Sequence, residues 1–180
     1  MPLLNAVTTP YAEAFLQVVD SSNETEEIIP QVKSIIQLLN DSVQLQEALS
    51  SPVLENEAKK SIIEKLFADD INPSFLNLLK LLADRQRIGL LGAVLERFLE
   101  LYREKRNIAL ATVTSATPLT EDQETSLKLK ISKIAGTENL ELNCKIDESL
   151  IGGFIVRVGS KVVDASLAGQ VRKLGLLLSK

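Results

Sequence analysis

The chain has 180 residues, 45% hydrophobic and 24% charged, which suits one large or two small globular domains and excludes a disordered polypeptide. Twenty basic and 24 acidic side chains give a formal charge of −4, which offers no footing for nucleic-acid binding. Histidine is absent and cysteine occurs once, so histidine-based triads, histidine metal sites and internal disulfides are excluded.

Met1–Thr9 has no basic residue and no long apolar core, so it reads as neither a secretory signal nor an Arg-rich transit peptide. This predicts a chain that works where it is made, or one whose import segment has been removed. No apolar run reaches the roughly 18 residues of a bilayer span, so direct membrane insertion is not expected.

Thr9 followed by Pro10 predicts the start of a first helix, with Glu13 near the positive end of its dipole. Its apolar stripe is Tyr11, Phe15, Val18 and Val19. A second helix carries Ile28, Val32, Ile35, Ile36 and Leu39, and Pro30 either starts or kinks it. A short third helix over Val43–Leu49 stops before Ser51-Pro52. Ala58, Ile62, Ile63, Leu66 and Phe67 mark a fourth. Asn72-Pro73 opens a fifth, with Phe75, Leu76, Leu78, Leu79, Leu81 and Leu82 on several faces. A sixth runs from about Ile88 to Lys105, with Leu91, Val94, Leu95, Phe98 and Tyr102 inward. Six short amphipathic helices with brief connections predict an antiparallel bundle.

Near Lys105–Asn107 the sequence changes character. Residues 1–105 hold 10 basic and 16 acidic side chains, residues 106–180 hold 10 and 8, and six of the eight glycines fall in the later part. Ile108–Ala116 reads as a strand. Thr120 and Gln123 have capping-box spacing for a helix carrying Leu127, Ile131 and Ile134, which Gly136 can end. Leu140, Leu142, Cys144 and Ile146 alternate with polar residues as a half-buried strand. Gly152-Gly153 introduces Phe154–Val158, and Gly159-Ser160 turns it into Val162–Asp164. A closing helix has its seam at Leu167, Val171, Leu174 and Leu178. The fold class expected is an all-α six-helix bundle over 1–105, then a smaller α+β domain over 106–180.

No active site assembles from these residues. Cys144, on the apolar side of its strand, reads as a buried structural thiol with no histidine to activate it. Gly152, Gly153 and Gly159 fit no phosphate-loop template and read as structural turns or close backbone approaches. Asp84-Arg85-Gln86-Arg87 joins two helices. It is either a solvated connection, or Arg85 and Arg87 fix an interhelical corner or meet a partner carboxylate. Lys128, Lys130 and Lys133 lack interleaved aromatics and read as solvated. Acidic pairs such as Asp69-Asp70 read the same way, and no cofactor or metal site is expected. The leucines on several faces of the fifth helix, and Ala12 and Ala14 beside large residues on the first, leave two readings: tight internal packing, or a groove for an amphipathic helix.

Several segments coincide with one family. Tyr11-Ala12-Glu13-Ala14-Phe15, Ser51-Pro52-Val53-Leu54 through Ala58-Lys59-Lys60, and Leu82-Ala83-Asp84-Arg85-Gln86-Arg87 with Leu90, Leu91 and Phe98 lie in its order. The C-terminal match is the most specific: Val113-Thr114-Ser115-Ala116, Pro118-Leu119, Asp147 with Leu150-Ile151-Gly152-Gly153-Phe154, Val158-Gly159, and Asp164-Ala165-Ser166-Leu167. On these motifs the chain resembles, over essentially its full length, the delta subunit of F-type ATP synthases, homologue of the mitochondrial oligomycin-sensitivity-conferring protein. Ser51 stands where that family often has Asn before Pro52. The stretch from Val158 to Gln170 looks cyanobacterial or plastid-encoded.

The resemblance implies a non-catalytic stator subunit that links the catalytic head of a proton-driven ATP synthase to its peripheral stalk and resists rotor torque. It implies that the bundle holds the N-terminal helix of an alpha subunit and that the second domain binds b-type stalk subunits. It implies a peripheral membrane protein on the cytoplasmic or stromal face of a thylakoid or plasma membrane. With the multi-face leucines, it points to Tyr11, Ala14, Phe15, Leu76, Leu79 and Lys80 as the alpha-helix site. Leu167, Val171, Arg172, Leu174 and Leu178 are the expected stalk contacts. The alternative is a free-standing helical adaptor outside any ATP synthase.

Overall fold

A computed structural model describes residues 2–51, 53–67, 70–137 and 139–171. The chain divides into two compact units, Met1–Tyr102 and Arg103–Lys180. The first unit is built of α1 (Pro2–Ser21), α2 (Thr25–Asp41), α3 (Val43–Ser50), α4 (Asn56–Phe67), α5 (Pro73–Asp84), a 3₁₀ turn at Ile88–Leu90, and α6 (Leu91–Arg106), whose last turn belongs to the second unit. The second unit continues with β1 (Ala109–Ser115), α7 (Glu121–Ala135), β2 (Leu140–Ile146), β3 (Phe154–Val158) and β4 (Lys161–Asp164). Residues 167–171 are helical. All-α helices followed by a small mixed sheet is the fold class expected from the sequence.

Polar caps fix several of these elements. Ser42 accepts the Leu45 N–H at the start of α3, and Asn72 accepts the Ser74 N–H at 2.8 Å with Pro73 in the first helical turn. Thr120 and Gln123 form the reciprocal capping box of α7. Gly136 ends that helix with φ 74°, the left-handed conformation that costs glycine least.

The first core is centred on Phe15, whose ring lies 5.4 Å from Phe75 and 4.9 Å from Phe98. Val19, Ile28, Val32, Ile63, Leu79, Leu82, Leu91 and Leu95 close around it, each fully buried or nearly so. In the second unit the sheet order is β2-β1-β3-β4, with β1 and β2 parallel and the other pairs antiparallel. The parallel pair needs a crossover, which α7 supplies. Leu127 and Ile131 of α7 pack on Ala111, Val113 and Val156. At the head of this unit, Arg103 Nε donates to Glu141 Oε2 at 2.6 Å, tying the last turn of α6 to β2.

Four expectations are corrected. The first helix does not begin at Thr9 and Pro10: α1 starts at Pro2 and Pro10 lies inside it. Pro10 is exposed, so the Ala6 carbonyl that loses its bonding partner can meet water, and Thr8, Ala12, Phe15 and Val19 form one buried stripe across the proline. Val18 and Leu66 are outward, at 48% and 47% exposure, and Tyr102 is only half-buried. The sixth helix enters through a 3₁₀ turn at Ile88. Cys144 is exposed rather than buried, as is Ile146 beyond it, because β2 is an edge strand and only its first residues, among them Leu140 and Leu142, are half-buried. Ile134, expected on the inner face of α7, has a side chain outside the described residues.

Candidate partner-binding surfaces

The residues assigned to an alpha-helix site separate by depth. Phe15 and Leu79 are core residues, at 4% and 0% exposure, so neither presents a side chain to a partner of the free bundle. Helical periodicity identifies their inward face, and the aromatic rings of α5 and α6 then enclose Phe15. Tyr11, Leu76 and Lys80 are half-buried and Ala14 is exposed. Tyr11, Ala14 and Val18 stand at i, i+3 and i+7, one outward stripe on α1. On α5, which packs against α1, Leu81 is the outward leucine. Val18 belongs on this outward stripe rather than the inward one, and the spacing from Tyr11 carries that signal; Leu81 is among the multi-face leucines of the fifth helix but not among the residues expected at the site. Lys80 Nζ pairs with Glu64 Oε1 at 2.6 Å. That hydrogen bond and the lysine's charge hold the Glu64 carboxyl below its ordinary range.

The connection after α5 is a built corner. Gln86 takes φ 54°, and the chain turns so that Arg87 Nη1 donates to the Tyr11 hydroxyl at 2.9 Å. The same guanidinium lies 5.7 Å from the centre of the Tyr11 ring. Arg85 is exposed. Asp84 pairs with Lys60 of α4, and this hydrogen bond raises the Lys60 ammonium above its usual range against the opposing effect of desolvation.

In the second unit the glycine turns have different tasks. Gly153 takes φ 82°, and a Cβ there would lie 2.4 Å from the Ala165 carbonyl oxygen and 2.9 Å from Ser166 Cα. At Gly152 a Cβ would meet the Leu167 side chain at 2.8 Å. Gly159 has φ 56° in the β3–β4 turn and faces open space. Ile151, Val162, Val163, Leu167 and Val171 leave a series of apolar side chains outward, with Ile151 the most exposed at 83%. Strand alternation hid Val162 and Val163, because β4 is an edge strand with both faces exposed. Arg172, Leu174 and Leu178 lie outside the described residues.

Cys144 Sγ sits 3.7 Å from Glu124 Oε1. Local desolvation and the neighbouring carboxylate push its thiol up, away from the reactive thiolate. Among the described residues, no three acidic or cysteine side chains are grouped to hold a metal ion, and no helix is long and apolar enough to cross a membrane.

The family model described as ATP synthase delta (OSCP) subunit matches residues 7–178. The chain belongs to this family. It is 66% identical to ATP synthase subunit delta of Prochlorococcus marinus strain MIT 9211, over 100% of this chain and 99% of that protein. The subunit from strain NATL2A is 64% identical with the same coverage. A chain in the cryo-EM structure of the Toxoplasma gondii mitochondrial ATP synthase hexamer superposes with a TM-score of 0.72 at 21% identity, covering 96% of this chain and 97% of that one, which shows the shared fold. The chain is thus a cyanobacterial-type member of the delta family, a non-catalytic stator component of the ATP synthase and a peripheral part of that complex.

Proposed function

We propose that the first unit grips the catalytic head and the second grips the stalk. On this reading the outward stripe of Tyr11, Ala14 and Val18, with Leu76, Leu81 and the stem of Lys80 on α5, receives the amphipathic N-terminal helix of an alpha subunit. The single observation that carries it is that Val18 and Leu81 are both exposed on two helices that pack against each other, whereas the exposed Leu38, Val43, Val53 and Leu66 lie on other segments of the unit. Ala14 matters because a small side chain lets a second backbone come close. The closing helix, with Leu167 and Val171 outward, receives the b-type subunits. The complex then sits with this subunit on the cytoplasmic or stromal face of the thylakoid or plasma membrane.

The test titrates the full chain with a synthetic peptide from the alpha N-terminus. Ala14→Asp places an unpaired charge in a desolvated contact and should weaken binding by about 2–5 kcal/mol. Unchanged affinity with native thermal unfolding removes α1 from the site.

A further inference from the structure

A surface helix ordinarily stays in place by burying its apolar face. The closing helix begins differently. Leu167 and Val171, four residues apart on one face, are 49% and 68% exposed. Its start is held by polar groups instead. Asp164, the last residue of β4, turns its carboxylate towards the chain that follows. Its Oδ1 accepts the Ser166 backbone N–H at 2.9 Å and the Ser166 hydroxyl at 2.6 Å. The Ser166 oxygen accepts the Gly169 N–H at 3.0 Å, which caps the first turn. Ser166 is 2% exposed and its bond to Gly169 is buried, while Asp164 is half-buried. A Cβ at Gly169 would lie 2.5–2.7 Å from the atoms of the Asp164 carboxylate, so the carboxylate fills the space a larger residue would need. From the other side, the Ala165 N–H donates to Phe154 and the Leu167 N–H to the Gly152 carbonyl, both at 3.0 Å.

We propose that Asp164 is a positioning residue for stalk attachment. Through Ser166 and Gly169 it sets the direction in which the first turn of the closing helix leaves the sheet, with Leu167 and Val171 left outward for a partner. Charge-assisted bonds hold the first turn, where Leu167 and Val171 bury little apolar surface. This inference rests on the reading of the closing helix as a stalk contact.

The test uses the full chain and an immobilised soluble C-terminal fragment of the b-type subunit, with amide hydrogen exchange read on the same variants. Asp164→Ala and Gly169→Ala are expected to speed exchange at residues 167–171 and to weaken fragment binding by about tenfold or more, while β1 and β3 keep their protection. Asp164→Asn, which retains an acceptor oxygen, should recover part of both. Unchanged binding in Asp164→Ala and Gly169→Ala, when Val171→Asp does abolish binding, overturns the positioning role alone. Loss of β1 and β3 protection in Asp164→Ala, Gly169→Ala and Asp164→Asn alike also overturns it, since Asp164 would then be a general folding residue. Binding that is indifferent to Val171→Asp as well sinks the stalk reading and this inference together.

Discussion

Arg87 and Tyr11 meet twice: one guanidinium nitrogen donates to the phenol oxygen at 2.9 Å, and the guanidinium carbon lies 5.7 Å from the ring centre. The pair joins α1 to the corner after α5, 76 residues further along the chain. Because Arg87 is exposed, its loss should be modest. Arg87→Ala is expected to cost about 0.5–1 kcal/mol in thermal unfolding. Tyr11→Phe keeps the ring under the guanidinium and should cost less than Arg87→Ala. A cost for Tyr11→Phe equal to that of Arg87→Ala would show that the hydroxyl bond carries the whole contact.

Phe15 was expected at a partner surface and is instead the centre of the first core. Phe15→Ala should therefore destabilise the first unit by about 3–5 kcal/mol in denaturant unfolding. Near-native stability with lost peptide binding would return Phe15 to the surface.

Gly153 combines a positive φ with backbone atoms where a Cβ would stand. Gly153→Val adds a dihedral strain on the order of 1–3 kcal/mol before the clash with Ala165 is counted. Circular dichroism should show the helices of the first unit retained, and exchange should show the sheet unprotected. A variant with native unfolding in both units would contradict this account of the turn.

Cys144 is accessible yet disfavoured as a thiolate by its surroundings and by Glu124. Glu124→Gln removes the neighbouring negative charge, lowers the thiol's pKa and should speed alkylation by iodoacetamide at neutral pH. An unchanged or slower rate would leave desolvation as the whole cause.

Glu64 titrates below the usual carboxylate range because Lys80 bonds and faces it. Its folded pKa is lower than its unfolded one, so its contribution to stability is in place at neutral pH and is lost as pH falls through the folded value. Lys60 runs the other way. Raised by Asp84, it contributes below the ordinary lysine range and loses that contribution as pH rises through its folded value. Lys80→Met should move the Glu64 carboxyl resonance to a higher midpoint in an NMR titration. No movement would mean that the ion pair does not persist in solution.

Local signals were read correctly where a few neighbouring residues settle the matter. Thr120 with Gln123, Gly136, and the Gly159-Ser160 turn each specify their own backbone. Depth was harder to read. Periodicity places Phe15 and Leu79 on an inward face, but their burial depends on residues brought in from distant helices. The alternation at Cys144 gives its side of the sheet, while its exposure follows from β2 being an edge strand. Pro10 misled for a related reason: Thr-Pro looks like a helix start, yet on a solvent face the proline forfeits one bond and the helix passes through it. The outward stripe of Tyr11, Ala14 and Val18 was legible by spacing, and its exposure was not.

Only Asn107 and Ile108 separate α6 from β1, and β1 lies inside the sheet with β2 on one side and β3 on the other. Force carried by the α6 backbone therefore reaches the sheet through a strand that is bonded on both sides. β1 is held by two ladders, the parallel one to β2 and the antiparallel one to β3, so freeing it means breaking both. An edge strand would be held by one ladder alone. For a part that must hold fast against a turning shaft, mechanical lifetime is set by how slowly the unit ruptures rather than by its equilibrium stability.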